Sequence, residues 1–189
     1  MRWNELGQLL GTAALGVALA ACGGHDHNDA SANSDTTSTT TTATATVGPI
    51  AQLEKSGALP KLDRSASLAG PDADGNGVRD DIDAYINGKF SDLKQRKAVL
   101  QDARAMQKAV LVDATNKEAT KAVSLEIFAS VNCMFSAFPD GEGQVSPIAI
   151  GGKIEAITAN TKTRLKAYLA YNKSRDGTAS TMPQGDTCE

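Results

Sequence analysis

Two consecutive stretches repeat their apolar residues at intervals of three, four and seven, and nowhere does the chain alternate apolar and polar residues in the period of two that a strand needs. In the first, Leu93, Leu100, Ala103, Met106, Val110 and Ala114 fall on one side of a helix, while Lys94, Arg96, Lys97, Arg104 and Lys108 take the others. In the second, Ala119, Val123, Ile127, Val131, Met134 and Phe138 repeat the pattern until Pro139-Asp140-Gly141 stops it. Each helix has one apolar stripe to bury, and the short connection between them predicts an antiparallel pair. The fold class is therefore expected to be all-α, a small helical bundle.

Shorter elements surround that pair. Ser91 is the expected N-cap of the first long helix. Before it, Ile82, Tyr85 and Ile86 share a face of a short helix that begins near Asp80 and that Asn87-Gly88 is expected to end. Further upstream, Ile50 to Leu53 forms one helical turn and Leu59 to Leu62 runs extended. Downstream, Gly141 to Pro147 is a loop, and Lys153 to Ala159 is a helix with Ile154 and Ile157 inward. Asn160 or Thr161 caps a last helix, Lys162 to Arg175, which buries Leu165, Tyr168 and Leu169 before Asp176-Gly177 ends it. Lys162, Arg164, Lys166, Lys173 and Arg175 give this helix a basic face, expected to be solvated. The formal net charge of −3 argues against nucleic acid as a partner.

The amino-terminal third has a different composition. Leu9 to Ala21 is an apolar run behind Arg2, shorter than the helix of about 20 residues that crosses a bilayer, and it reads as a signal peptide over residues 1–21. Its end, Leu19-Ala20-Ala21-Cys22, resembles the lipobox of bacterial lipoproteins. The resemblance implies that the Cys22 thiol is diacylated, that the chain is cut just before it, and that the protein is held to a membrane by several acyl chains. Gly23 in place of the aspartate that retains such proteins in the inner membrane implies the outer membrane, facing the periplasm. From Cys22 to Gly48 the chain is rich in Thr and Ser and too poor in apolar residues to fold. A flexible tether of about 26 residues has a mean reach of roughly 25 to 30 Å. The globular domain is expected over residues 49–189.

Between tether and bundle lies the densest set of directed oxygen atoms in the chain, Asp72-Ala73-Asp74-Gly75-Asn76-Gly77-Val78-Arg79-Asp80-Asp81-Ile82-Asp83. Side-chain oxygens at positions 1, 3 and 5, a carbonyl at 7, a group at 9 and a carboxylate at 12, with Gly at 6, form the calcium loop of the EF-hand. Those positions hold Asp72, Asp74, Asn76, Val78, Asp80 and Asp83, with Gly77 at the turn. The loop resembles those of EF-hands, and more closely those of dockerins and thrombospondin type 3 repeats, which often carry aspartate at position 12. The resemblance implies one bound calcium ion. Gly70-Pro71 stands where an entering helix would be and Arg79 replaces the usual apolar residue at position 8. No second loop follows, so the expectation is a loop-then-helix site with a structural ion.

The chain has three cysteines. With Cys22 lipidated, Cys133 and Cys188 remain, and in an oxidising envelope compartment such a pair is expected to close, pinning the tail onto the bundle. His25 and His27, the only histidines, both lie in the tether. Without a histidine in the domain, Ser-His-Asp and Cys-His machinery and imidazole zinc sites cannot form there. Ser91-Asp92-Leu93-Lys94 matches S-x-x-K but lacks the companion motifs of penicillin-binding enzymes. The leading expectation is a non-enzymatic envelope lipoprotein that binds an envelope protein partner. An envelope hydrolase using acidic residues, or a periplasmic small-ligand carrier, stands as the alternative.

Overall fold

A computed structural model of the chain describes residues 48–138 and 145–189. The signal peptide, Cys22, the tether apart from Gly48, and the stop at Pro139-Asp140-Gly141 lie outside the described residues. Among those residues six helices and no strand form: α1 (Pro49–Lys55), α2 (Asp80–Lys89), α3 (Leu93–Leu111), α4 (Lys117–Ala137), α5 (Pro147–Thr158) and α6 (Lys162–Ser174). The all-α expectation holds.

Helix α3 is the centre, packed against α2, α4, α5 and α6. Its partnership with α4 is antiparallel: Lys94 bonds the Ser136 carbonyl, Ser130 donates to Asp102, and Lys108 pairs with Glu126. The expected stripe is broader than its periodicity indicated. Ala103, Met106 and Val110 are buried as predicted, but so are Ala98, Val99, Gln101, Asp102, Ala105, Gln107 and Ala109, because neighbours cover α3 on several sides. Leu93, at the exposed first turn, is 58% accessible, and Ala114 falls beyond the helix end. On α4 the buried face takes in Thr120, Ser124, Ser130 and Cys133 beside Val123 and Met134.

Several boundaries differ from expectation for local reasons. Asp92, not Ser91, caps α3, its carboxylate accepting the Gln95 N–H at 2.9 Å, where its charge also favours the positive helix end. Asn87-Gly88 does not end α2. The Asn87 amide bonds Asp83 one turn back, and the helix continues until Phe90 enters the core edge-on to Phe138. Helix α5 starts at Pro147, well before Lys153, because Pro suits the first helical position. Ile154 and Ile157 do point inward, and Thr161 caps α6 through its hydroxyl.

Helix α6 is rotated from the expected face. Leu165 and Leu169 are exposed, Tyr168 is half-buried, and the buried residues are Arg164 and Tyr171. Arg164 is thus the exception to the solvated basic face. It sits in the first turn, where the helix dipole opposes a cation, and all five of its N–H groups are spent. They reach the Asp63 carboxylate at 2.5 Å, the Asp63 carbonyl, the Asn160 side chain and the carbonyls of Ser67 and Leu68.

That guanidinium holds down a stretch with no regular structure of its own. Residues 57–79 run from α1 to α2 across the α5–α6 corner, and their backbone groups need partners. A second buried arginine supplies more. Arg79, with no exposed surface, grips both Asp81 oxygens at 2.6 and 2.8 Å and donates to the Ile157 and Thr158 carbonyls at the end of α5. Asp63 joins the two, its N–H donating to Asp81 at 2.7 Å while its carboxylate faces Arg164.

The tail is fastened as predicted. Cys133 and Cys188 form a disulfide with sulfur atoms 2.01 Å apart, and the segment lies along α3 and α4. Hydrogen bonds join Thr187 to Gln101, Ala129 and Asn132, and Arg104 pairs with Glu189.

Losing Arg164 would strand a half-buried carboxylate and several carbonyls. Arg164→Met is expected to lower the unfolding free energy by roughly 3–5 kcal/mol, read by denaturant melts, with Arg164→Lys unable to restore it. The hydrogen bond from Arg164 holds the Asp63 carboxyl at about 2, below its ordinary 3.8. A depressed acid stabilises the fold above its unfolded value and loses that contribution as pH falls through its folded value. The stability gap between wild type and Asp63→Asn should therefore be constant above about pH 5 and close between about pH 4 and 2.

Candidate functional site

The acidic stretch forms one loop whose shape follows from its own side chains. Asp72 accepts the Asn76 N–H through one oxygen at 3.1 Å and the Gly77 N–H through the other at 3.0 Å. Asp74 accepts the N–H and side-chain amide of Asn76, and Asn76 accepts the Val78 N–H at 2.8 Å. These are the local turns that Asp and Asn make with backbone two or more residues on. Gly75 and Gly77 take φ of 69° and 80°, a left-handed conformation open to glycine. Asp80 closes the loop, its N–H on the Pro71 carbonyl at 2.9 Å and its carboxylate on the Ala73 N–H at 2.8 Å.

The far side of the loop is rooted in the domain. Val78, at the position whose carbonyl is the expected donor, has its side chain in the core with Ile82 and Ile86. Arg79 follows it inward, so the residue that departs from the EF-hand pattern is the one that fastens the loop to α5. Gly70 fits against that side chain with φ of 70°; a Cβ there would lie 2.3 Å from Arg79 Cδ. No helix enters the loop and α2 leaves it, with Asp80, Asp81 and Asp83 in its first turn.

Asp72, Asp74 and Asp80 are exposed, and Asn76 and Asp83 are half-buried. Among the described residues none of the four carboxylates forms a salt bridge. Burial raises the Asp83 carboxyl above its ordinary value, and the charges of Asp74, Asp80 and Asp72 push it the same way, against the Asn87 hydrogen bond. The other three carboxylates therefore lie near enough for their charges to act on Asp83. They are spread along the loop: among the described residues no three His, Cys, Asp or Glu side chains are gathered as a metal set. The donors are carboxylate, amide and carbonyl oxygen throughout, a chemistry that fits a hard cation rather than zinc or copper.

Cys22 lies outside the described residues, and Cys133 and Cys188 belong to the tail clasp on α4, apart from this loop in sequence. The residues that position the loop, Arg79, Asp81, Asp63, Arg164 and Gly70, were not in the expected site. Two of them carried a sequence signal: Arg79 is the charged residue where the loop pattern has an apolar one, and Gly70 stands with Pro71 where an entering helix would be. No protein-family model, curated protein or solved structure matches the chain.

The seat of Gly70 yields a controlled comparison. Gly70→Ala adds both backbone strain and a collision with Arg79, and is expected to cost about 2–4 kcal/mol. Gly75 has the same handedness but nothing within 4 Å of its Cβ position. Gly75→Ala should cost only about 1 kcal/mol, and chemical denaturation of the two variants measures the difference.

Proposed function

We propose that this protein is a cell-envelope lipoprotein, anchored through Cys22 in the outer membrane and facing the periplasm, whose helical domain binds an envelope protein partner without catalysing a reaction. A single calcium ion in the loop from Asp72 to Asp83 is structural. The observation that carries the calcium reading is the spacing of oxygen donors in one loop, with four carboxylates, Asp72, Asp74, Asp80 and Asp83, that have no salt-bridge partner among the described residues. A divalent cation relieves their repulsion. Asp72, Asp74, Asn76 and the Val78 carbonyl, with Asp80 and Asp83 from the start of α2, would hold it. Because Arg79 anchors the loop from behind, an ion there stiffens the junction between the residues 57–79 and α2.

The anchor rests on the lipobox-like Leu19-Ala20-Ala21-Cys22. Among the described residues no helix is long and apolar enough to cross a membrane.

Extracellular calcium modules bind at about 10⁻⁴ to 10⁻³ M, which at millimolar calcium amounts to stabilisation on the order of 1 kcal/mol. The disulfide closes a separation of 55 residues, for which loop-closure entropy gives roughly 4 kcal/mol. Melting curves should therefore fall further with reductant than with chelator. Calcium should raise the wild-type midpoint, and Asp83→Asn should leave the chelated protein no less stable while abolishing the calcium response. A calcium response that survives Asp83→Asn, or none in wild type, refutes the ion. Pull-downs from detergent extracts test the partner: a stoichiometric envelope protein is expected, and its absence with and without chelator overturns the binding role.

A further inference from the structure

A cavity of about 270 Å³ opens between α3, α4 and α5, away from the calcium loop. Its walls are mostly apolar, with Met106, Val131, Met134, Phe135 and Ile148 among them. Two acids line it as well, Asp102 and Glu155, and among the described residues no Lys, Arg or His does. Asp102 has no exposed surface; Ser130 donates to one of its oxygens at 2.8 Å, and the other has no hydrogen-bond partner among the described residues. That free Oδ2 is 3.9 Å from where a Cβ on Gly151 would stand, so it faces the α5 wall of the cavity. A buried carboxylate oxygen without a donor is costly. Burial raises the Asp102 carboxyl to about 6 and the neighbouring Glu155 charge adds to this, against the Ser130 hydrogen bond.

Helix α5 is built around the opening. Gly151 and Gly152 are adjacent in its interior, where glycine weakens a helix. At Gly151 an added Cβ would press on the Met134 methyl at 3.3 Å, whereas at Gly152 it would meet nothing within 4 Å. Packing therefore does not require glycine at 152, and its bare backbone leaves the mouth of the cavity open.

The geometry points to a binding site for a small amphiphilic amine. The ammonium group donates to the free oxygen of Asp102 with Glu155 nearby, and an apolar body fills the space beside Phe135 and Ile148. A 150 Å³ cavity holds benzene, so this volume takes about ten non-hydrogen atoms on the same scale. The Met134 thioether, an adaptable side chain, shifts to admit the head group to the inner wall.

Calorimetric titration of the full-length protein with phenethylamine and with octylamine tests the site. Saturable binding at about 1 mM or tighter is expected, at least about tenfold stronger than for phenethyl alcohol, which keeps the shape without the charge. Asp102→Asn, whose amide retains the Ser130 bond, should weaken the amines at least about tenfold. Gly152→Leu should abolish binding with a melting temperature equal to or above wild type. If Asp102→Asn does not fold, Gly152→Leu still decides. No saturable binding of either amine, equal affinity for the alcohol, or unchanged affinity in either folded variant overturns the assignment.

Discussion

Two ion pairs, Arg79 with Asp81 and Arg164 with Asp63, joined by the hydrogen bond from the Asp63 N–H to Asp81, are the constraint on which the rest of this domain depends. A guanidinium carries five donors in a fixed plane and no acceptor. Placed against a run of coil, it can satisfy several carbonyls that a helix or sheet would otherwise have to serve. Arg164 does this for residues 63–68 and Arg79 does it for the end of α5, where carbonyls have no intrahelical partner. Burying a charge is costly unless it is paired and fully bonded. Arg164 meets that condition with all five N–H groups engaged and Arg79 makes four such bonds, and so a segment without regular structure is fixed in place.

The acidic loop inherits its position from this arrangement. Its outer residues shape themselves through local turns, but its inner residues are held by Val78 in the core and Arg79 under Gly70. An EF-hand obtains its rigidity from two flanking helices. Here one helix and one buried arginine divide that task, so the ion proposed for this loop would brace it rather than switch it, since no interhelical angle is available to change. At the opposite end of the chain, the disulfide and the polar contacts of Thr187 fasten a tail that has little apolar surface to bury.

The helical class, the antiparallel α3–α4 pair and the closure of Cys133 with Cys188 were legible in the sequence, because strong periodicity and cysteine arithmetic are local or nearly local signals. The rotation of α6 was not. Leu165 and Leu169 look like core residues on a helical wheel, and only the position of Asp63, far away in sequence, explains why Arg164 turns inward instead. The burial of Gln101 and Asp102 was hidden in the same way, since a polar residue on a central helix is covered by partners that the wheel does not contain. Of the acidic loop, the donor types and their spacing were readable, while its attachment was not. Arg79 registered only as a departure from the calcium-loop pattern, and its partners lie on α2 and α5.

Native-state hydrogen exchange on the amides of Asp63 and Asp80 addresses the central claim most directly, because one donates to Asp81 within the arginine network and the other closes the loop on Pro71. If the buried arginines fasten this segment, both amides open only with the helices of the core, with protection approaching that of α3. Rapid exchange of these two amides while α3, α5 and α6 remain protected would mean that the segment comes loose on its own, and would contradict the account.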